Sequence, residues 1–154
     1  MKPGVEICSA QPEDASEIAE IHRAARAAAM PWLTVVHSPR DVRHHFETVV
    51  LPGTDVRVAK IDGMISGFMA LRGNWIDHLY LAPDTWRQGL GRRLLQEAMA
   101  TRAELELWTF QRNDRARRFY ESFGFKVVEF TDGSANEERE PDVRYVWMRS
   151  GEQA

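Results

Sequence analysis

The sequence predicts an α+β protein in mixed α/β layers, in which a central, mostly antiparallel twisted sheet of about seven strands is flanked by about four helices. Three observations predict this class. Segments in which hydrophobic residues alternate are interleaved with segments of helical period. Two β-rich runs meet at Asp62-Gly63, a hairpin signal that makes them antiparallel. The resulting order is one strand, two helices, three strands, a helix, a strand, a helix and two strands.

The first half of the chain is predicted to open with a strand that starts at Val5, where hydrophobic residues alternate. Residues 11–14 then resemble a helix entry, and the helix that follows runs into an Ala-rich stretch. Two prolines interrupt the next segment and make residues 30–40 a loop, which precedes a second helix around Phe46. The strands of the hairpin follow over 56–61 and 64–71.

In the second half, a predicted strand over 75–81 stops at an Ala-Pro pair, and a helix follows Gly91. Apolar residues three, four and seven positions apart predict another helix over 113–123, which Gly124 is well placed to end. The remaining strands are predicted over 104–110, 125–130 and 143–148.

Length and composition indicate a single folded domain over residues 1–154, with 44% hydrophobic and 28% charged residues. The apolar runs are shorter than the roughly 20 residues that cross a bilayer, and the first residues do not resemble a signal peptide. We therefore expect a cytoplasmic protein with no membrane partner. The single cysteine, Cys8, excludes an internal disulfide and is expected to be a small buried residue of the first strand.

Charge is distributed unevenly along the chain. The net charge of −3 gives no general attraction for nucleic acid, so no nucleic-acid partner is predicted. Arginines concentrate between Arg87 and Arg118, whereas residues 131–142 hold five acids and only Arg139 as a base. The arginine-rich stretch is thus suited to an anionic ligand and the acidic stretch to a cationic one. Solvated surface charges explain each cluster equally well. The five acids are Asp132, Glu137, Glu138, Glu140 and Asp142.

A glycine-bearing turn follows the strand over 75–81 and opens the next helix. Its glycines, Gly89 and Gly91, allow a ligand to approach the backbone closely, and the unpaired amides of the helix start suit a phosphate or pyrophosphate. Tight packing is an equal explanation for the turn alone. It lacks the third glycine of a dinucleotide fingerprint and the lysine of a Walker A loop, which argues against a nucleotide-hydrolysing enzyme.

A second motif runs from Asn113 to Phe125 and carries the residues Asn113, Ala116, Phe119, Tyr120, Gly124 and Phe125. Together with the glycine turn, it resembles the two cofactor motifs of the GCN5-related N-acetyltransferase (GNAT) superfamily. The resemblance covers nearly the whole chain in element order and is tightest over residues 76–125. The chain departs from the pattern at Trp86, where the family usually has Gln or Arg, which puts one side-chain contact with the cofactor in doubt.

The resemblance implies a GNAT-like fold that uses acetyl-CoA as co-substrate, without a metal, and an amine as acceptor. The pantetheine arm would pair with the strand edge at Leu79, and Tyr120 would protonate the departing thiolate as the general acid. A backbone amide of the same strand edge would stabilise the charge that develops on the thioester oxygen. The residues implied to bind the cofactor are Leu79, Tyr80, Leu81, Arg87, Gln88, Gly89, Leu90, Gly91, Arg92, Asn113 and Tyr120.

The general base is predicted less directly. Asp77 and His78 lie on the strand beside the thioester, and neighbouring strand residues face opposite sides, so we expect at most one of them to face the cleft. Either could be a structural polar residue instead, and the family also uses water relays to remote carboxylates. The other histidines, His22, His37, His44 and His45, lack metal-ligand spacing and are expected at surface positions of helices.

The acceptor is expected to be a small-molecule amine or a peptide N-terminus. The loops 30–40 and 131–142 occupy the places where family members build the acceptor site, and Glu137, Glu138 and Asp142 are its candidate residues. These acids would draw in a cationic amine, unless they pair with surface arginines. Alternative functions are a noncatalytic acyl-CoA sensor on the same fold and transfer of a longer acyl group. The sequence also leaves open whether the protein forms a homodimer.

Overall fold

The computed structural model describes residues 4–150, in which the chain forms seven strands and four helices in the predicted order. The predicted fold class is confirmed, and the outermost residues of the predicted 1–154 domain lie outside the described part. The strands are β1 (Val5–Ser9), β2 (Asp55–Ile61), β3 (Met64–Arg72), β4 (Trp75–Leu81), β5 (Glu104–Phe110), β6 (Lys126–Phe130) and β7 (Asp142–Met148).

The helices are α1 (Ala15–Ala29), α2 (Pro39–His45), α3 (Leu90–Thr101) and α4 (Asp114–Ser122). The prediction that the loop reaches residue 40 is wrong, because α2 already begins at Pro39. Proline is favourable at the first helical position, and the Ser38 hydroxyl caps the helix by accepting from the Asp41 amide at 3.1 Å. Helix α2 continues into a π-helical turn, Phe46–Val50, and a last helical turn, Leu51–Gly53.

The strands form one sheet in the order β1-β2-β3-β4-β5-β7-β6. All neighbours are antiparallel except β4 and β5, which run parallel. Asp62 and Gly63 form the predicted β2–β3 turn with φ values of 50° and 83°, the left-handed region that such hairpins require.

The core lies on both faces of the sheet. On one face, α1 and the π-helical turn pack against β2 and β3, with Ile18, Phe46 and Phe68 fully enclosed. On the other face, α3 and α4 cover the centre of the sheet around Leu94 and Tyr145. Cys8 is half-buried beside the first cluster. Within residues 4–150, no helix is long and apolar enough to cross a membrane.

Candidate active site

Strands β4 and β5 diverge along their length and leave a cleft at the centre of the sheet. Their single register pair is Trp75 with Glu106, so the two strands separate beyond that point. The cleft has a volume of about 550 Å³ and is lined by both strands, by α1, by α4 and by the segment between β6 and β7. Its lining includes the predicted site residues Asp77, His78, Leu79, Tyr80, Asn113, Tyr120 and Asp142.

A β-bulge at Asp77 sets the directions of the side chains along β4. Ala70 of β3 pairs with His78 and Leu71 pairs with Ile76, which leaves Asp77 as the extra residue of β4. Ile76 therefore packs with the α3 and α4 face, whereas His78 contacts aromatic rings of the α1 and α2 face. The strict alternation assumed from the sequence is wrong at this point, and both Asp77 and His78 border the cleft.

Asp77 is engaged by a neighbouring arginine. Both carboxylate oxygens accept from the Arg72 guanidinium, at 2.9 Å and 3.1 Å. One guanidinium thus occupies both oxygens of the carboxylate in a bidentate, charge-assisted pair.

His78 is enclosed among aromatic rings. Its centroid lies 5.2 Å from the Phe46 ring and 6.1 Å from the Phe68 ring. Burial lowers the pKa of His78 to about 4, although the charge of Asp77 acts in the opposite direction. The imidazole is therefore uncharged at neutral pH, and its Nδ1 atom is buried without a hydrogen-bond partner.

His22 is the site residue that sequence reasoning missed. It was expected on the surface of its helix, and that expectation is wrong, because α1 turns it inward against β4. Its ring lies 5.4 Å from His78 and 5.0 Å from Tyr80, and its Nδ1 atom is also buried without a partner. Burial, followed by the neighbouring His78, holds the pKa of His22 well below its usual value. The helical spacing of His22 from the buried Ile18 was the available signal.

The glycine turn enters α3 with an unusual backbone. Arg87 and Gly89 have φ values of 70° and 80°, in the left-handed region that favours glycine. Gly89 precedes the first residue of α3, and a side chain added there would meet no atom within 4 Å. A side chain at Gly91 would lie 3.5 Å from Leu81 and from the Phe119 ring. The open space around Gly89 would let a ligand approach the start of α3 from that side.

Trp86, at the position where the sequence departs from the family pattern, ties the glycine turn to its neighbours. Its indole Nε1 donates to the Leu81 carbonyl at 3.1 Å. The Arg115 guanidinium of α4 lies 4.1 Å from the centre of the indole ring, in a cation–π contact. Trp86 therefore has a structural role between β4, the turn and α4.

Two predicted cofactor residues come from α4 and the residue that caps it. The Asn113 side-chain oxygen caps this helix by accepting from the Ala116 amide at 3.1 Å, so its NH₂ group is what it can offer to a ligand. Tyr120 is 8% exposed and packs against Phe125 and Tyr145 while lining the cleft. Burial, with a smaller effect of Tyr80, raises the pKa of Tyr120 above its usual value. The phenol therefore keeps its proton at neutral pH.

A second cavity of about 500 Å³ lies between α1, the loop that follows it, α2 and the segment between β6 and β7. It shares Arg26, Met30 and His78 with the central cleft, and these three residues form the junction between the two cavities. The wall of the second cavity is mainly apolar where the loop lines it, and Val35 there is 86% exposed. Glu137 and Glu138 also line this cavity.

The acids of residues 131–142 are largely paired. Glu138 accepts from Arg26 at 3.2 Å, Glu140 accepts from Arg112 at 3.0 Å, and Glu137 lies 2.5 Å from His37. Asp142 is hydrogen-bonded to the Thr131 hydroxyl and to the Asn136 amide group. The sequence allowed two roles for these acids: to attract a cationic amine, or to pair with basic side chains. The structure has the second arrangement for most of them.

Comparison with known proteins supports the same family. A family model described as an acetyltransferase (GNAT) domain matches residues 52–127. An uncharacterized N-acetyltransferase from Archaeoglobus fulgidus is 34% identical over 115 residues, which cover 64% of this chain and 78% of that protein. The peptidyl-lysine N-acetyltransferase YjaB from Escherichia coli is 39% identical over 62 residues, 40% of this chain and 42% of its own length.

Solved structures share the fold. The solution structure of apo-form YjaB from Escherichia coli superimposes with a TM-score of 0.78 at 24% identity, covering 94% of this chain and 97% of that one. The PaiA N-acetyltransferase from Thermoplasma acidophilum, in complex with coenzyme A, has a TM-score of 0.78 at 23% identity, with 95% and 99% covered. Fold, motifs and relatives agree: the chain belongs to the GCN5-related N-acetyltransferase superfamily and is an acyltransferase.

Proposed function

We propose that this protein transfers the acetyl group of acetyl-CoA to a primary amine by direct attack within a ternary complex. The observation that carries the proposal is the cleft between β4 and β5, which has the Tyr120 side chain on one wall and His78 at its junction with a second cavity. A donor and an acceptor can thus approach one point from two sides. The amine nitrogen would bond to the thioester carbon while the carbon–sulfur bond breaks.

The donor is assigned to the side of α3 and α4. The helix-start amides between Arg87 and Arg92 suit the pyrophosphate of acetyl-CoA, which the open space at Gly89 would admit. The pantetheine arm would continue along Leu79 to Leu81, where β4 has no strand partner on the β5 side. A backbone amide of this edge would stabilise the charge that develops on the thioester oxygen. Asn113 would offer its NH₂ group to the arm.

Tyr120 is proposed as the general acid. It lines the cleft, and its raised pKa keeps the hydroxyl protonated at neutral pH, so it can donate to the sulfur as charge develops there. Because an ordinary thiol has a pKa of about 8.5, below that of Tyr120, the proton must move while the carbon–sulfur bond breaks and not after the thiolate is free. Proton transfer from the phenol would yield free coenzyme A, and solvent would later return the proton to Tyr120.

His78 is a better candidate for the general base than Asp77, because Asp77 is held by Arg72. With a pKa of about 4, His78 cannot remove a proton from a free alkylammonium ion, whose pKa near 10.4 makes the transfer cost about 9 kcal/mol. It can take the proton from the attacking nitrogen once the carbon–nitrogen bond has formed, because that nitrogen is far more acidic. The amine must therefore be neutral when it attacks.

The test is release of coenzyme A thiol from acetyl-CoA with a panel of amines, amino acids, aminoglycosides and peptides with free N-termini. We expect acetyl-CoA binding and turnover with at least one class of primary amine. Binding of acetyl-CoA without turnover on any member would favour the noncatalytic sensor. Faster turnover with a longer acyl-CoA would identify a different acyl donor.

A further inference from the structure

The junction of the two cavities, formed by Arg26, Met30 and His78, is where the acceptor amine meets the thioester if the proposed function holds. The charges at this point decide which form of the amine the site can accept. An ammonium ion removed from water needs a nearby unpaired carboxylate or several hydrogen-bond acceptors.

Two uncharged imidazoles lie beside the junction. His22 and His78 are the residues whose buried side-chain nitrogens lack a partner within residues 4–150. Their rings touch edge to face, with centroids 5.4 Å apart. Burial lowers both pKa values, so neither ring carries a charge at neutral pH. The same loss of hydration that disfavours an imidazolium ion also disfavours an ammonium ion.

The one fixed charge that forms the junction is positive. Arg26 donates to the Tyr80 hydroxyl and to Glu138, both at 3.2 Å. Burial alone would lower the pKa of Arg26, but Tyr80 and Glu138 outweigh it and raise the pKa, so the guanidinium is charged. Two further basic side chains line the second cavity from the helices packed against His22, namely Arg23 from α1 and His45 from α2.

Four of the five carboxylates that line the two cavities are already engaged. Within residues 4–150, those that line either cavity are Asp41, Asp77, Glu137, Glu138 and Asp142. All of them except Asp41 have a side-chain hydrogen-bond or ion-pair partner. Asp41 is exposed and lies in the first turn of α2. It can attract a cation to the opening of the second cavity without stabilising one beside His78.

We infer that the acceptor is a weakly basic primary amine, of the kind found at a peptide N-terminus, which the site receives in its uncharged form in preference to a strongly basic amine such as a lysine side chain. This inference rests on the proposed function and narrows its substrate class. Ordinary α-amino groups have pKa values of about 7.7 to 8.0 and lysine about 10.4, so at pH 7 the uncharged fraction differs about 300-fold.

The relatives named peptidyl-lysine N-acetyltransferases do not decide this point. The two from Escherichia coli match 40% and 44% of this chain, so more than half of it lies outside each match. Arg26 and Glu138 lie 112 residues apart in sequence, so a sequence match of 62 or 69 residues cannot contain both. Their ion pair is a feature of this chain that the similarity does not transfer.

The experiment uses one peptide in two forms, with a free N-terminus and an acetylated lysine, or with an acetylated N-terminus and a free lysine. Mass spectrometry and thiol release report kcat/KM for each form at pH 7. We expect the α-amine form to react at least about 100-fold faster, from the difference in uncharged fraction. Its kcat/KM should follow the ionisation of the peptide amine alone between pH 6 and 9, because both histidines are already uncharged.

The Arg26→Gln variant tests the cause. It removes the positive charge and leaves Glu138 unpaired, so the site could then bind a lysine ammonium ion, and the ratio of the two KM values, lysine form over α-amine form, should fall at least about tenfold. Arg112→Gln is the matched control: it frees Glu140 of the same segment, whose side chain lines neither cavity, and should leave the ratio unchanged. A general loss of structure would slow both peptides and leave the ratio unaltered.

Equal or faster reaction of the lysine form in the parent protein would overturn the inference, as would an unchanged ratio in folded Arg26→Gln. If acetyl-CoA binds and other amines react but neither peptide does, the inference fails while the proposed function stands. If calorimetry detects no acetyl-CoA binding, the proposed function fails with it.

Discussion

At the scale of single residues, the Tyr120 hydroxyl is the group whose removal isolates the proposed acid. Tyr120→Phe keeps the ring contacts with Phe125 and Tyr145 and removes only the oxygen. We expect turnover to fall by roughly 10²- to 10⁴-fold, with little change in acetyl-CoA affinity or melting temperature. Steady-state kinetics, calorimetry and thermal unfolding measure the three effects.

Tyr145→Phe is the matched control for this change. The Tyr145 side chain is fully enclosed, and its hydroxyl bonds to Arg117 and Glu121; Tyr145 lines neither cavity. Its removal should lower stability by about 1 kcal/mol and leave turnover close to that of the parent. Equal losses of turnover in both variants would show that Tyr120 acts through packing.

The two base candidates can be separated in the same way. His78→Gln should reduce turnover by roughly 10²-fold or more, because, of the residues between 4 and 150 that line both cavities, His78 is the one with an uncharged side-chain nitrogen. Asp77→Asn should retain most turnover, since the carboxylate already accepts from Arg72. Turnover at saturating acetyl-CoA and amine measures both. The opposite order of losses would make Asp77 the base.

At the scale of elements, substitutions at the two glycines near the start of α3 test backbone conformation and side-chain packing separately. Gly89 has φ 80°, where any side chain is strained by about 1 to 2 kcal/mol, whereas a side chain at Gly91 meets its neighbours at an ordinary 3.5 Å. Gly89→Val should therefore distort the helix-start amides and weaken acetyl-CoA binding at least about tenfold. Gly91→Ala should be tolerated by the fold. Calorimetry that finds parent-like affinity in Gly89→Val would remove this turn from the cofactor site.

Sequence reasoning reached the elements but not their irregularities. Hydrophobic periodicity and the Asp62-Gly63 turn identified all seven strands, because each signal is local. The bulge at Asp77 and the π-helical turn at Phe46 were not predictable, since each depends on contacts with distant strands and helices. These two irregularities bring Phe46 within 5.2 Å of both His22 and His78.

The pairing of the acidic segment was equally hidden. Five acids within residues 131–142 suggested a negative electrostatic field that attracts cations. Whether they are paired depends on Arg26, His37 and Arg112, which come from other parts of the chain. The glycine turn and the Asn113 motif were recognisable because a short stretch of sequence contains the whole feature, and an acceptor site assembled from four segments has no such stretch.

At the scale of the whole molecule, the divergence of β4 from β5 gives the sheet a passage between its two covered faces. Helices α3 and α4 cover the face proposed for the donor, and α1 and α2 cover the face proposed for the acceptor. His78 and Arg26 line both cavities. The proposed donor and acceptor sites thus belong to different hydrophobic clusters that meet at one junction.

Burial of two uncharged histidines at this junction makes the stability of the fold depend on pH. Both residues have a pKa below 6.5 when folded, and His78 has one of about 4, so below pH 6.5 the unfolded chain binds more protons than the folded one. Stability is therefore full above about pH 7 and declines as pH falls towards 4. From pH 7.5 to pH 5, each histidine accounts for a loss of about 2 kcal/mol.

His22→Phe should remove one of these two contributions. Urea unfolding at pH 7.5 and at pH 5 gives the loss of unfolding free energy over this interval, and we expect it to be about 2 kcal/mol smaller in His22→Phe than in the parent. Taking the difference between two pH values within each protein cancels any change in packing that the larger ring introduces. His44→Asn, at an exposed position of α2, should behave as the parent does. If His22→Phe loses as much stability as the parent, His22 is accessible to protons in the folded state, and the uncharged state of the histidines beside the junction, on which the proposed acceptor selection depends, is wrong.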